Sequence, residues 1–512
     1  CDKSKYVFGL DKKKDGKGDE KEICQKHFDA FKEENEKYLK GMDDPEVKAY
    51  LKFLSRWRPE ATAENEIITP RLDEVVNASN FVFRVERFLT FLHENLREKK
   101  RWQECFEEVK SDYEAQCLIT GKVAPIAQVH QSIKGVAGAQ STGAAIVSFN
   151  IPSFRSYGKE QSFNAPISEN AMLKYTTALN YLLSGENRIK LGDTTVVFWA
   201  EKKAEQEESF FKAFLDPPFK EEGRNIEESE LPAVSPKEME DRVKDVLSAV
   251  REGRSVDDAI EHPDVLFHIL GLAPNVSRLS IRLWMVNRFG TLVERLAKHH
   301  LDMEVVKPPN VYRMIPVWAL LKEMAVLGKT ENIPNNMITA LNYAIFNGTA
   351  YPFGMYASII KRIRADHDVN YVRAGFIKAY LNRSNTKKEE CTVALDLQNK
   401  EPAYLLGRLF SLLEKAQQEA SGGGLNATIK DRYFGAASAT PAIIFPQLLR
   451  LSQHHIAKAQ YGGLWDRKIQ EVLGLFSPSE FPKHLNLEEQ GKFILGYYHQ
   501  KQANYSPNEA PE

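Results

Sequence analysis

The sequence has few of the features that mark secreted, membrane-spanning or zinc-binding proteins. Its five cysteines include no C-x-x-C pair, which argues against a disulfide framework or a structural zinc site and favours a reducing cytoplasm. It contains no run of eighteen apolar residues, so we expect no membrane span. The polar opening residues also lack the apolar core of a secretory signal.

The net charge is close to zero, and the common nucleotide-binding motifs are missing. The formal charge is −1 at pH 7, whereas a free nucleic-acid-binding protein is often basic overall. If this chain binds nucleic acid, it does so through local patches within a larger assembly. The Walker A and dinucleotide motifs are missing, and we expect no cofactor and no metal ion. An initiator Met is missing too, which indicates a processed chain or an absent beginning.

Hydrophobic periodicity predicts an α+β fold, with a mixed N-terminal region that contains a small sheet and an all-helical C-terminal region that ends in a helix bundle. Composition divides the chain into an α+β region, an acidic linker containing proline, a helical region with basic patches and a helical bundle. These four parts span residues 1–215, 216–240, 241–392 and 393–512.

Individual elements can be predicted within the first region. Periodicity of 3.6 residues predicts helices at 23–42 and 78–116, and another at 169–185. Enrichment in β-branched and aromatic residues predicts short strands between them. The predicted strands are 117–121, 124–130, 144–151 and 193–201.

The stretch 134–171 is dense in glycine and in uncharged hydrogen-bonding side chains. Glycine lets a backbone come close to a ligand, and amides and hydroxyls supply the donors and acceptors that base edges require. We expect the lysines to contact phosphates, and the amides and the serine to contact or wedge between bases. The residues chosen are Lys134, Gly135, Gly138, Gln140, Ser141, Lys159, Gln161 and Asn164. A turn-rich connection between strands is an equally good explanation of this composition.

Two further segments concentrate positive charge. A helix predicted to begin at Ser277 would place Arg278 and Arg282 on one face, and arginine suits bidentate phosphate contacts. Between 357 and 388, basic residues far outnumber acids and alternate with tyrosines, as expected of a surface for a phosphate backbone and unstacked bases. From this segment we choose Lys361, Arg362, Arg364 and Arg373. The alternatives are arginines paired with acids and an ordinary solvated face.

An enzymatic alternative rests on Asp193, Glu201 and Lys203. A strand carrying the pattern D…E-x-K can hold a divalent metal ion on its acids while the lysine supports an attacking water, as in restriction-type nucleases. Glu201 and Lys203 would then share one face of the strand. Because the motif is short and degenerate, chance matches to it are common.

Several long segments resemble one known family, the large subunit of the type I-C CRISPR surveillance complex (Cascade). The resemblance covers nearly the whole chain and is carried by CLITGKVAPIAQVHQSIKGVAGAQSTGAAIVSFNIPSFRSYGKEQSFNAPIS, YTTALNYLL, GDTTVVFWAE, LAPNVSRLSIRLW and EPAYLLGRLFSLLEKAQ. Members of that family carry a further N-terminal section before the segment that resembles KYVFGLD. We expect that section to be missing here, so none of its functions can be assigned to residues of this sequence.

The resemblance implies a non-catalytic, DNA-binding subunit of a prokaryotic, cytoplasmic antiviral complex. Such a subunit contacts the backbone and 5′-handle-binding subunits that hold the guide RNA. It recognises the protospacer-adjacent motif in duplex target DNA, helps to open the duplex and to hold the displaced single strand, and recruits the helicase–nuclease. We therefore expect 1–215 to recognise DNA. A scaffold that joins subunits without touching DNA is a second alternative, which the basic residues between 361 and 383 disfavour.

In the same family the C-terminal part resembles the small subunit of the complex, which can be made separately by internal initiation. No Met follows Met355, so a separate product would need a non-AUG start. Val393 is well placed, because a GUG codon encodes valine internally but can also initiate translation. The resemblance therefore implies a small-subunit-like bundle at 393–512.

Overall fold

The computed structural model describes most of the chain, which forms two compact units. One unit comprises Cys1–Val129 and Ile151–Leu173, and the other His130–Asn150 and Lys174–Glu512. The described residues are 2–12, 21–78, 80–86, 88, 90–95, 97–101, 112–217, 237–307, 314–384, 390–422, 427–477 and 481–505. Most of the predicted linker at 216–240 lies outside them. None of the described helices is both long enough and apolar enough to cross a bilayer.

The first unit combines short helices with two small antiparallel hairpins. The hairpins pair β1 (Leu10–Lys12) with β2 (Lys21–Ile23) and β3 (Glu114–Gln116) with β4 (Val123–Pro125). Its helices are Ser4–Val7, Gln25–Tyr38, Pro45–Arg56 and Leu72–Asn77. Gln25–Tyr38 confirms the helix predicted at 23–42.

The long helix predicted at 78–116 is wrong for the described residues between 80 and 95. There the described residues form the 3-10 turn Leu92–Glu94 and an isolated bridge between Phe81 and Asp2. Phe83 instead packs its ring against Tyr50 and Phe53, with centroid distances of 4.4 and 5.7 Å. Tertiary packing of aromatic side chains thus overrides the local helical pattern.

A four-stranded antiparallel sheet organises the second unit, in the order β5-β6-β7-β8. The strands are β5 (Arg188–Leu191), β6 (Thr194–Ala200), β7 (Leu266–Asn275) and β8 (Arg278–Arg288). Strand β6 confirms the strand predicted at 193–201. The prediction that 241–392 is helical is wrong over β7 and β8, and the helix expected from Ser277 is strand β8. The strand predicted at 144–151 is reduced to single bridges at Ala144 and Ala145.

The two faces of this sheet have different surroundings. Alternate residues of one face, among them Phe198, Ile269 and Met285, join the large helical core of the unit. On the other face, Leu270 and Leu272 pack with Leu179 of the helix Glu169–Ser184. The sheet is therefore a layer with helices on one side and partial cover on the other.

A β-bulge in β8 changes which side chains the sheet buries. Leu272 pairs with Ile281 and Gly271 with Leu283, so Arg282 is an extra residue without a partner in the ladder. In a regular strand, residues four apart lie on the same face. Because of the extra residue, Leu279 and Leu283 are buried in different cores, on opposite faces of the sheet.

The remainder of the second unit is helical, and the α+β prediction is confirmed. The helix Glu169–Ser184 begins in the first unit and continues into the second from Lys174. The helices after it are Glu205–Leu215, Lys237–Arg251, Phe289–Asp302, Val317–Met324, Asn335–Asn347, Phe353–Asp366, Tyr371–Ser384, Pro402–Ala420, Ile429–Ala437, Pro441–Ile456, Gly462–Leu473 and Leu487–Tyr505. The last five confirm the prediction of an all-helical C-terminal section.

The two longest C-terminal helices, Pro402–Ala420 and Leu487–Tyr505, pack closely together at two glycines. A Cβ atom on Gly407 would overlap the carbonyl oxygen of Phe493, and one on Gly496 would overlap that of Tyr404. Buried polar side chains also pair across this contact, and the Tyr497 hydroxyl donates to Glu414 at 2.6 Å. The contact thus depends on bare backbone at two positions.

Two buried histidines should make the second unit sensitive to acid. Burial lowers the pKa of His300 and of His499 to about 4, below the ordinary 6.5. Above pH 6.5 both are neutral in folded and unfolded chains alike. As the pH falls from 6.5 towards 4, both histidines become protonated in the unfolded chain but stay neutral in the folded chain. We expect the unfolding free energy to fall over that window by up to about 3 kcal/mol per histidine.

Denaturant unfolding of the full chain at pH 7.5 and pH 5 measures this loss. His499→Gln should reduce the difference in unfolding free energy between the two pH values, since one of the two buried histidines is removed. His484, which is exposed, provides the control, and His484→Gln should leave the difference as in the wild type. An unchanged pH dependence in His499→Gln would contradict the prediction.

Candidate nucleic-acid interface

The glycine-rich stretch is divided between the two units. Residues up to Asn150 belong to the second unit, and those from Ile151 onward belong to the first. Lys134, Gly135, Gly138, Gln140 and Ser141 are therefore one group, and Lys159, Gln161 and Asn164 are another.

In the second unit, the stretch folds into a tight turn that exposes two of the residues predicted to contact bases. Ile133 and Ala144 pair in a bridge, each N–H donating to the other's carbonyl oxygen at 2.9 and 3.0 Å. Gly143 closes the turn by donating to the carbonyl of Gln140 at 2.9 Å. It has φ of +95°, and a Cβ there would lie 2.9 Å from the Ile133 carbonyl oxygen. Gln140 and Ser141 are exposed at the tip.

This turn is fixed to the end of the sheet where the β7–β8 hairpin turns. The Ala145 N–H donates to the Ser277 carbonyl at 3.3 Å, and the Leu279 N–H donates to the Ala145 carbonyl at 2.9 Å. The Arg278 guanidinium donates to the side-chain oxygen of Asn150. A Cβ on Gly138 would lie 3.3 Å from the ring of Pro274. The pairing therefore brings the glycine-rich turn next to strand β8.

Arg278 and Arg282 differ in their surroundings. Arg278 is half-buried beside Asn150, whereas Arg282 is exposed in the bulge. Among the residues that the structure describes, Arg282 has no ion-pair partner. The helix of the sequence alternative is wrong, because both arginines lie on strand β8. Its pairing with acids does hold for Arg288 of the same strand, which contacts Asp264 and Asp257.

Lys134 and Gly135 line a separate open cavity of about 690 Å³ in the same unit. Their neighbours there include Asn180, whose side chain accepts the Lys134 N–H at 2.8 Å, and Arg188, which donates to the Leu183 carbonyl at 2.6 Å. The described lining contains two cations and no carboxylate. Arg188 was not selected from the sequence, because a single basic residue at a strand start gives no pattern.

In the first unit, Asn164 holds a loop together and does not present a free amide. Its Oδ1 accepts the Ser156 N–H at 2.8 Å, and its Nδ2 donates to the carbonyls of Lys159 and Gln161 at 3.1 and 2.9 Å. The prediction that Asn164 contacts base edges is therefore corrected to a loop-fixing role. Its contacts position the residues that the loop exposes.

The same loop holds two non-glycine residues in the left-handed backbone region. Tyr157 has φ of +52° and is fully exposed, and Gln161 has φ of +46°. Such backbone conformations are costly for residues with a Cβ and cluster at functional sites. Lys159 lies between them, half-buried. Tyr157 is not among the residues chosen from the sequence. Its exposure beside Lys159 makes it part of this surface.

The basic segment between 357 and 388 does not form a continuous cationic surface in its described part. Arg373 is only 6% exposed, and its guanidinium donates to Glu323 at 2.5 Å and to Asp366 at 2.8 Å. Arg362 also pairs with Asp366, and Arg383 pairs with Asp302 at 2.6 Å. All three guanidinium nitrogens of Arg373 are engaged in this way, and two of those of Arg362 are, so both are weaker candidates for phosphate than their neighbours.

Lys361 and Arg364 remain as candidate phosphate-binding residues from that segment. Both are exposed on the helix Phe353–Asp366. Neither has an ion-pair partner among the described residues. The acids that neutralise their neighbours come partly from distant helices, which the local sequence does not reveal. Lys387 and Lys388, at the end of the predicted patch, lie outside the described residues.

The nuclease alternative fails on its geometry. Asp193 precedes β6 and Glu201 follows it, so the strand separates the two carboxylates by roughly 26 Å at about 3.3 Å per residue. Lys203 pairs with Glu205 at 3.2 Å beyond the end of the strand. The three groups cannot share one metal ion.

One other group of potential metal ligands occurs among the described residues. Glu207, Glu261 and His262 bring their ligand atoms within 4.8 Å of one another. The Glu207 carboxylate is buried and accepts the backbone N–H of His262 at 3.1 Å. That bond fixes the loop onto the helix Glu205–Leu215, which is sufficient reason for the carboxylate to be there.

Comparison with protein families identifies the class of protein. Residues 1–505 match the sequence model of one family, described as CRISPR-associated protein (Cas_Csd1). The chain therefore belongs to this family of CRISPR-associated proteins, and it is a Cascade-type subunit. Membership implies a role in antiviral defence within a complex of Cas subunits. No curated protein matches the sequence.

Proposed function

We propose that this chain is the DNA-recognition large subunit of a type I-C Cascade complex. It recognises the protospacer-adjacent motif in duplex target DNA, assists opening of the duplex, stabilises the R-loop and recruits the helicase–nuclease, without catalysing a reaction itself. One observation carries the proposal: the exposed turn of Gln140 and Ser141 is bridged through Ala145 to Arg278, at the start of the strand whose bulge exposes Arg282.

This arrangement combines the two kinds of contact that sequence-specific DNA binding needs. Guanidinium groups position a protein on phosphates, whereas amides and hydroxyls on a tight turn can reach base edges in a groove. Because the Ala145 backbone is hydrogen-bonded to Ser277 and to Leu279, the turn is held rigidly relative to Arg278 between them. Rigid placement lowers the entropy lost on binding.

The remaining candidate residues would add contacts of the same kinds. In the first unit, Lys159 would contact phosphate and Gln161 a base edge, from the loop that Asn164 fixes. In the second unit, Lys134 and Arg188 supply cations to an open cavity free of described carboxylates. Lys361 and Arg364 supply a further exposed pair.

We further propose that the partners are duplex target DNA and its displaced strand, the guide-RNA-bound backbone and 5′-handle-binding subunits, the small subunit and the helicase–nuclease. The location is the prokaryotic cytoplasm. The described helices from Pro402 to Tyr505 support a small-subunit-like bundle at 393–512, and Val393 remains the proposed internal start.

The decisive test measures affinity of the assembled complex for duplex target DNA at two salt concentrations, with the flanking motif intact or scrambled. Gln140→Ala/Ser141→Ala should lose preference for the motif by roughly 5- to 100-fold and keep the wild-type salt dependence. Arg282→Ala should weaken binding to both duplexes alike and reduce the salt slope by about 1, since it removes one phosphate contact.

Arg254→Ala is the matched control, because Arg254 is exposed but paired with Glu252 at 2.8 Å and lies outside this surface. It should bind as the wild type does. Unchanged motif preference in the double variant would place motif reading elsewhere. Wild-type binding that ignores salt would favour the scaffold alternative.

A further inference from the structure

The uncovered half of the central sheet carries a cluster of aromatic rings. Trp199 of β6 and His268 of β7 lie directly opposite each other, with ring centroids 5.1 Å apart and planes within 6° of parallel. Trp284 of β8 lies 5.9 Å from Trp199 and 6.0 Å from His268. Three neighbouring strands thus place three rings side by side on one face.

This cluster is open to solvent. Trp284 is 57% exposed, and Ile281 and Val286 beside it on β8 are 54% and 40% exposed. The helix Glu169–Ser184 and the segment around Ile133 cover the other half of the face, but no described residue encloses Trp284. A large exposed apolar patch on a rigid sheet usually marks a binding surface.

The charges near the rings favour a polyanion as the occupant. Strand β8 carries three arginines and no acid, and Arg282 is exposed in the bulge next to Ile281. Arg288, at the far end, is already neutralised by Asp264 and Asp257. Positive charge is therefore available at the bulge, two residues before Trp284 in the strand.

We propose that Trp284, supported by Trp199 and His268, stacks an unpaired base of single-stranded DNA while Arg282 contacts its phosphate. The inference rests on the proposed function and gives the displaced strand a site on this chain. Aromatic side chains on a sheet bind single strands by stacking, largely without regard to sequence, because every base has a π-face. The packed neighbours hold the Trp284 ring in place, so little freedom is lost on stacking.

Binding of a labelled 20-nucleotide oligothymidine and of motif-containing duplex to the full chain tests this site. Trp284→Ala should weaken oligothymidine binding by about tenfold or more, the loss expected for one stacked base. Trp284→Phe keeps a ring and should restore most of the affinity. Duplex affinity should stay within about twofold of the wild type. Tyr343→Ala is the matched control, since Tyr343 is also 57% exposed but lies on the helix Asn335–Asn347.

The other outcomes overturn the inference in distinguishable ways. If the wild type binds no oligothymidine, the site is wrong, and if the assembled complex also shows no preference for the flanking motif, the proposed function fails with it. If the wild type binds oligothymidine and Trp284→Ala binds it equally well, the stacking site is wrong and the proposed function stands. If Trp284→Ala loses another subunit from the assembled complex but keeps oligothymidine binding, the face holds a protein.

Discussion

Replacing Arg373 with alanine should destabilise the second unit by about 3–5 kcal/mol, the usual loss when one partner of a buried ion pair is removed. Arg373 holds Glu323 and Asp366 together from a position that is almost fully buried. Burial already raises the pKa of Glu323, and without the guanidinium its charge would be left uncompensated. The loss should shrink as the pH falls, because protonation of Glu323 removes that charge. Denaturant unfolding at pH 7 and pH 5 measures both effects.

Lys361→Ala is the matched control for this variant. Lys361 lies on the neighbouring helix Phe353–Asp366, is exposed and has no ion-pair partner among the described residues. Its replacement should change stability by no more than about 0.5 kcal/mol. If Arg373→Ala folds as stably as the wild type and binds DNA more weakly, the guanidinium contacts DNA after all, and the sequence prediction for Arg373 is restored.

Alanine at Gly407 should have the opposite effect to the usual one. In a helix interior, glycine to alanine ordinarily stabilises by about 1 kcal/mol. Here the new methyl group would overlap the Phe493 carbonyl on the helix Leu487–Tyr505. The two helices would have to separate, at a cost of about 1–3 kcal/mol for overpacking. Hydrogen exchange of the peptide Pro402–Ala420 should accelerate, and the thermal midpoint of the full chain should fall.

Gly435 offers the matched comparison, because it lies within the helix Ile429–Ala437 of the same bundle. Among the described residues, a Cβ there meets only the Arg364 side chain, at an ordinary 3.8 Å. Gly435→Ala should therefore be neutral or mildly stabilising. Equal behaviour of the two alanine variants would show that the contact at Gly407 yields without cost.

The C-terminal helices are predictable from sequence because their apolar residues recur with helical spacing between clear breaks. The strands β7 and β8 are not. Strand β7 is buried on both faces, by Ile269 on one side and Leu270 on the other, so it reads as a continuous apolar run that a helix could also produce. In β8 the bulge at Arg282 interrupts the alternation that would mark a strand.

The candidate site shows a different limit of sequence reasoning. Residues 134–171 are contiguous and alike in composition, yet they divide between two units. What joins Gln140 to Arg278 is a bridge at Ala145, formed with a strand that lies far along the chain. The partners of Arg373 and Arg383 likewise come in part from helices that precede them by many residues. Composition indicates residue types that suit DNA, but long-range pairing decides which of them stay available.

The order of the sheet has a consequence for synthesis on the ribosome. Strand β6 pairs with β7, so in the growing chain Ala200 must wait without its pairing partner until Phe267 has been synthesised. At about 5–20 residues per second, that wait is roughly 3–13 s. During it, the nascent hairpin of β5 and β6 presents Val196, Val197 and Phe198 on an unpaired edge, which is a template for aggregation. Yield of this subunit in cells should therefore depend on chaperone supply and growth temperature as well as on the stability of the finished fold.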